Sequence, residues 1–319
     1  MDYRDRIHCD NIVVCTPERL QDEIDKRFSN KLVSRRVLKK YMRKFRLNYK
    51  KDPDDDRDFK LKVIKPKLLD ESARLGAPNK VDHAADMSPV KDQGQLGSCV
   101  GFAVSAMKEC QERKEHLEEI AKGKRGRPKV YDYSEAWIYW NAKQIDPWGV
   151  EDEGTSIRYA MKVLQRIGVP TEKGWPYKDI NDVDAIGEPA RWASMVARWA
   201  LIDSYYRIDN LNDLKLALVN GPVPIGIPCF YEIFFTSGDG IIPYPASPDE
   251  IYGGHAVCAV GYDNDKQRIK FKNSWGTNWG QNGYGYLSYK YINDFLWDAW
   301  AAKDLAVTRD MLKGVRTLG

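Results

Sequence analysis

The chain has 319 residues, with 50 Lys/Arg against 46 Asp/Glu, a net charge of +4, and 43% hydrophobic residues that include 10 Trp and 18 Tyr. That composition excludes a disordered chain, and the length suffices for one two-lobed domain with an extension. No apolar run nears the ~18 residues that cross a bilayer, and Ile12-Val13-Val14-Cys15 is too short for the core of a secretory signal, so no membrane association is expected.

Thr16-Pro17-Glu18 supplies a capping hydroxyl, a first-turn proline and an early acid, and Leu20, Ile24 and Phe28 follow at helical spacing. Val33, Val37, Leu38, Tyr41, Met42 and Phe45 predict a second helix. Lys26 to Lys51 holds 12 Lys/Arg and no Asp or Glu, so the rest of the chain carries −8 once these are removed from the total of +4. Such an arm can dock on the acidic remainder, bind nucleic acid or another acidic partner, or simply be solvated. His8, Cys9 and Cys15 are three ligand-type residues with no fourth nearby, and no metal is expected. Asp52-Pro53-Asp54-Asp55-Asp56 ends the helical pattern and opens a linker.

The stretch from Pro89 to Met107 organises the rest of the chain. A loop punctuated by Gly94 and Gly97 delivers Cys99 to the first turn of a helix whose Val100, Ala103, Val104, Met107 and Cys110 form a buried stripe. A thiol there meets unpaired N–H groups and the positive end of the helix dipole, and both favour the thiolate. Alone, a cysteine in an apolar helix reads as a small core residue. Lys122 to Lys129 contains Arg-Gly-Arg-Pro, which resembles an AT-hook that enters the minor groove of DNA; a solvated basic loop is the plainer reading. Tyr133 to Trp140 and Thr155 to Ile167 predict further helices, the latter ended by Gly168 and Pro170. From Gly221 onward Val223, Ile225 and Ile227, then Val257 and Ala259, then Ile269 and Phe271 alternate as strands do. Helices first and strands later give an α+β chain of two lobes, with a cleft where a cysteine from one meets a histidine from the other.

The general base is narrowed by elimination among four histidines. His116 lies roughly 25 Å along the helix from Cys99 at 1.5 Å per residue, and His8 and His83 lie in lead-in segments. His255 begins an apolar strand, where a core histidine is the bland alternative. The turn Tyr262-Asp263-Asn264-Asp265-Lys266 lies midway between His255 and Asn273. A hairpin centred on Asn264 sets the two opposite each other, at ~5 Å between Cβ atoms, where an amide can orient an imidazole.

Three blocks then stand in order: Gln93-Gly94-Gln95-Leu96-Gly97-Ser98-Cys99, Gly254-His255-Ala256-Val257, and Lys272-Asn273-Ser274-Trp275-Gly276. They resemble the active-site blocks of the papain-like (C1 family) cysteine peptidases, over roughly Val81 to Ile292. The resemblance implies a papain-like two-lobed fold, with a helical left lobe and an antiparallel β-barrel-like right lobe, here preceded by a basic helical extension. It implies that Cys99 is the nucleophile, His255 the base, Asn273 its orienting amide, and Gln93 an oxyanion donor. Trp275 would cover the His–Asn contact, and Gly154 and Gly254 would line the substrate path. The substrate is expected to be a protein or peptide, with no cofactor. The family's pro-region suggests a zymogen restrained by its own N-terminal segment, although that region's helix motif is unmatched here. The resulting division is an extension over 1–51, a linker over 52–80, a peptidase domain over 81–300 and a tail over 301–319. Ala77-Pro78-Asn79-Lys80 resembles a mature start, with processing expected between Asp70 and Lys80. Leu96 and the Glu151–Gly154 stretch replace the family's paired cysteines, so a reducing, cytoplasmic setting is expected. The alternatives are a transpeptidase or amidase using the same groups, and a catalytically inactive papain-fold protein that binds nucleic acid or an acidic partner.

Overall fold

The computed structural model describes residues 45–61, 77–150, 153–178, 188–236 and 238–304. The helices expected upstream of Phe45, the set His8, Cys9 and Cys15, and residues 70–76 of the processing stretch lie outside them. The described helices are α1 (Cys99–Ala121), α2 (Glu135–Ile145), α3 (Ile157–Arg166), α4 (Ala193–Ala197), α5 (Leu211–Asn220), α6 (Tyr231–Phe234) and α7 (Tyr289–Phe295). The strands are β1 (Lys80–Asp82), β2 (Ile202–Arg207), β3 (Val223–Cys229), β4 (Gly253–Asp263), β5 (Arg268–Lys272), β6 (Tyr284–Ser288) and β7 (Asp298–Asp304).

Helices α1, α2 and α3 build the first lobe around Val100, Val104, Met107, Ile138, Ile157, Met161 and Leu164. Helix α2 starts where the Ser134 hydroxyl accepts the Trp137 N–H at 3.1 Å, a side-chain cap that satisfies an otherwise orphan donor. Helix α3 ends at Arg166, followed by Gly168 at φ +73°, a conformation that glycine adopts without strain.

The strands form an antiparallel sheet in the order β2-β7-β3-β4-β5-β6, with β1 added on β4. The barrel-like lobe is thus an open sheet ending at β2 and β6. Every residue of β3 and β4 is buried. On β4 the alternation separates two cores. Ala256, Cys258 and Val260 face the helices, while Val257 and Ala259 face the packing of β3, β5 and α5. One strand therefore serves both lobes, and His255 sits near its start.

Buried charges also join the lobes. Lys91, in the loop before α1, donates to Glu135 of α2 and to Asp132, both at 2.6 Å. Lys272, the last residue of β5, donates to the Ser88 hydroxyl at 2.8 Å, and that hydroxyl donates to Glu109 of α1. Burial and then the Glu135 charge push Glu109 up to about 7. The basic loop after α1 is exposed, with Lys124 paired to Glu119 and Lys129 over the Tyr131 ring at 4.6 Å.

Glu135 is buried and Lys91 only partly so. Lys91→Met is therefore expected to lower the unfolding free energy by roughly 3 kcal/mol, the low end for breaking a buried pair. Urea denaturation measures this, and a double variant with Glu135→Gln should lose less than the two single losses combined.

Candidate active site

Cys99 is the first residue of α1, and its side chain is fully buried. The Ala256 N–H points at its Sγ from 3.5 Å, so the thiol abuts the residue next to His255 on β4. The helix start and the sheet meet here, as expected for two lobes with a cleft between them.

The hairpin register differs from the symmetrical one expected. Cys258 lies opposite Lys272 and Asp263 opposite Arg268, with an irregularity between Ala259 and Gly261. Asn273 follows the end of β5 and falls diagonally from His255 instead of directly opposite. A diagonal neighbour on the same face is still within side-chain reach. His255 Nε2 and Asn273 Oδ1 are 2.8 Å apart. The Ser274 N–H also donates to Asn273 Oδ1 at 2.8 Å, which marks that atom as the acceptor. His255 Nε2 therefore carries the proton in the neutral ring, and the buried Nδ1, which has no partner among the described residues, holds the lone pair. Trp275 stacks on the His255 ring at 4.4 Å and 22°.

Gln93 is fully buried. Its Oε1 accepts the Ser274 hydroxyl at 2.6 Å and its Nε2 donates to the Leu96 carbonyl at 2.9 Å. Its backbone N–H donates to the Ser274 carbonyl at 2.8 Å, so the loop bearing Gln93 is tied to the segment bearing Asn273. Gly154 and Gly254 lie on opposite walls of the cleft. A Cβ on Gly154 would sit 1.6 Å from the Asn48 carbonyl oxygen, and one on Gly254 2.4 Å from that of Tyr49. Both positions need glycine because main chain passes against them.

That main chain is a segment whose place in the cleft the sequence did not reveal. Phe45, the last member of the second helical set, is not helical, and the chain from there to Lys51 is irregular apart from a bridge between Asn48 and Gly254. The Phe45 ring packs on Trp275 at 4.6 Å. The Asn48 amide donates to Glu153, the Tyr49 N–H to the Gly254 carbonyl at 3.0 Å, and the Lys50 N–H to the Thr155 carbonyl at 3.0 Å. Asp52 anchors the end, its carboxylate accepting from Ser156 and from Trp300 Nε1 at 2.7 Å, and its N–H donating to Asp298 at 2.9 Å. Only the alternation of Leu47, Tyr49 and Lys51 hinted at an extended run, and the basic residues around it masked that hint. The charges Lys91, Glu109, Glu135 and Lys272 were equally hidden, since polar residues in amphipathic segments read as solvated.

Burial dominates the electrostatics of both groups. Burial pushes the Cys99 thiol up to about 12, against the N–H groups of Ala256, Val100 and Cys99 itself, which pull it down. Burial brings His255 down to about 4, against the Asn273 bond. The helix terminus acts in the direction expected, but desolvation outweighs it, and both groups are neutral near pH 7. Carbamidomethylation of Cys99 in the full chain at pH 7–8 is therefore expected to be slower than that of an unfolded peptide cysteine, followed by peptide mass spectrometry.

The comparisons with known proteins agree with this arrangement. The profile of the papain family cysteine proteases matches residues 77–295. A peptidase C1-like protein of Acanthamoeba polyphaga mimivirus is 33% identical over 74% of this chain and 75% of its own. A cathepsin L-like peptidase of Aedes aegypti is 30% identical over 70% of this chain and 62% of its own, so the match leaves over a third of that relative uncovered. The crystal structure of xylellain, a cysteine protease from Xylella fastidiosa, superposes with a TM-score of 0.69 at 30% identity, over 82% of this chain and 98% of that one. A digestive procathepsin L 3 of Tenebrio molitor, at 22% identity and TM-score 0.58, shares the fold. With two lobes meeting at Cys99 and His255 and a profile match across most of the described residues, the chain belongs to the papain family of cysteine peptidases.

Proposed function

We propose that this peptidase hydrolyses peptide bonds through Cys99, His255 and Asn273, and that residues 45–52 hold it latent. The observation that carries the reading is the buried Nδ1 of His255, without a partner among the described residues, on a ring whose other nitrogen is committed to Asn273. A base so oriented takes the Cys99 proton without needing a charged partner. The thiolate attacks the substrate carbonyl carbon, and the imidazolium passes its proton to the leaving amine. Water, deprotonated by His255, then hydrolyses the thioester and regenerates the thiol. One N–H of Gln93 Nε2 goes to Leu96, and the other, with the Cys99 backbone N–H, is assigned to the oxyanion. Trp275 covers the His255 ring and keeps water from its bond to Asn273. A reducing, cytoplasmic setting belongs to the same proposal, supported by Leu96 in place of a paired cysteine.

Latency is supported by the main-chain bonds of the segment to both walls, to Gly254 and to Thr155. A peptide substrate needs the same donors and acceptors, so the two exclude each other. Full release lets water reach Cys99 and His255 and lowers the cost of charging both.

Asp52→Ala removes the anchor and is expected to raise hydrolysis of a fluorogenic peptide at least tenfold over the full chain. It should also make Cys99 alkylation fast below pH 7, an effect absent in Asp52→Ala/His255→Ala. Unchanged hydrolysis and alkylation in Asp52→Ala would remove the latency proposal. Gln93→Ala in the released background should lower kcat by about 10²–10³.

The anchor also gives a pH sign. Burial and then the Asp298 charge push Asp52 up to about 6, against Ser156, Arg158 and Trp300, and burial raises Asp298 as well. A carboxylate with a raised docked pKa binds a proton on docking, so docking is tightest below the free value of about 3.9 and weakens as pH rises through 6. The full chain should stay latent at pH 4.5 and gain activity faster at pH 7.5. Release on acidification would contradict this.

A further inference from the structure

The connection that follows α1 presents a charge arrangement that the peptidase chemistry does not use. Gly123, at φ +94°, turns the chain out of the helix, and residues 121–130 are all exposed. Helix α1 is 23 residues long, so this connection stands roughly 33 Å from Cys99 at 1.5 Å per residue. His116 Nε2 donates to the Arg127 carbonyl at 3.0 Å, and a Cβ on Gly126 would lie 3.6 Å from His116 Cε1. The Arg125-Gly126-Arg127 stretch is thus backed by α1 on one side and bare on the other. Pro128 fixes its own φ and biases Arg127 to an extended backbone. Lys122 and Lys124 pair with Glu118 and Glu119 in exposed contacts of a kind worth little, and Lys129 lies over the Tyr131 ring. The guanidinium groups of Arg125 and Arg127 have no hydrogen bond or ion pair among the described residues.

We propose that Arg125, Gly126 and Arg127 form a binding site for double-stranded DNA, entered through the minor groove of an A·T-rich stretch. Two arginines separated by one residue on an extended arm can reach into a minor groove together. Along a run of A·T pairs that groove is narrow and its negative potential enhanced, which draws in cationic side chains. A guanidinium is more weakly hydrated than an ammonium and loses less on entering it. Gly126 has no side chain, so the main chain can approach the groove floor, where a G·C pair would place the guanine amino group in the way. Lys122, Lys124 and Lys129 flank the two arginines and are placed to neutralise phosphates at the groove edges, which positions the arm without reading sequence. An A-form RNA duplex has a wide, shallow minor groove and offers no such slot. The proposal does not depend on the peptidase reading. The arm and Cys99 stand at opposite ends of α1, so DNA and a substrate can be held at the same time.

Fluorescence anisotropy of the full chain with two labelled duplexes, one with a central A·T tract and one all G·C, tests this at one fixed salt concentration. The A·T duplex should bind at least tenfold more tightly, and netropsin, which fills the A·T minor groove, should displace the protein from it. Arg125→Ala/Arg127→Ala should lower the affinity for the A·T duplex at least tenfold. The same variant should leave thermal unfolding unchanged, because both side chains are exposed. Arg125→Lys/Arg127→Lys keeps the charge, and should lose most of the A·T preference while still binding the G·C duplex. Lys122→Ala/Lys124→Ala should weaken both duplexes alike. Equal affinity for the two duplexes, equal or tighter binding of an RNA duplex or heparin, or no binding at all would overturn the proposal. Binding that survives Arg125→Ala/Arg127→Ala undiminished would also overturn it, and would move the contact to the basic run Lys26–Lys51.

Discussion

The contact between His255 Nε2 and Asn273 Oδ1 is the interaction on which the geometry of the site depends. It joins the start of β4 to the residue after β5, and the Ser274 N–H on the same oxygen settles which atom donates. The imidazole is thereby held in one tautomer, with Trp275 on its face. The strand that carries it faces the helical core with alternate residues and the sheet core with the others. The thiol at the start of α1 and the base on the sheet are thus located by packing common to both lobes. The charges linking Lys91, Glu135, Glu109 and Lys272 reinforce the same junction from beneath.

In the latency we propose, residues 45–52 act on the charge state of the thiol and the imidazole. A thiol and an imidazole can share a proton as an ion pair only if the surroundings bear the charges. Under a buried cover, desolvation raises the thiol and lowers the imidazole, and the neutral pair is favoured. The latency we propose has two parts that reinforce each other: the rims are occupied, and the thiol and imidazole are uncharged. The side chains that fasten the cover, Tyr49 and Asp52, reach the same carboxylate, Asp298.

Much of this was legible in the sequence, and for identifiable reasons. Cys99 was found because its glycine-punctuated loop and apolar helix are local patterns, and His255 because few histidines competed. The pairing of His255 with Asn273 was correct in outcome and off in register, since the irregularity near Gly261 cannot be read from spacing. The two-lobed α+β arrangement followed from the change of periodicity near Gly221. What stayed hidden was non-local. Lys91 and Glu135 reveal their pairing only when folded, and the partners of Asn48 and Tyr49 lie over a hundred residues away, where no local spacing points. The end of the basic arm was read as helix from the spacing of Phe45, whose ring is held instead by Trp275.

The central claim is that the covered pair is neutral and the uncovered pair is not. The most direct measurement is an NMR pH titration of the His255 imidazole, labelled with ¹⁵N and ¹³C, in the full chain and in the chain carrying Asp52→Ala. With four histidines in the chain, the His255 signals can be assigned by single replacements. The expected result is a neutral ring protonated at Nε2 from pH 8 down to about 5 in the full chain, and an imidazolium near pH 7 in the variant, lost on Cys99→Ala. An imidazolium at pH 7 in the full chain, with residues 45–52 still in the cleft, would contradict it.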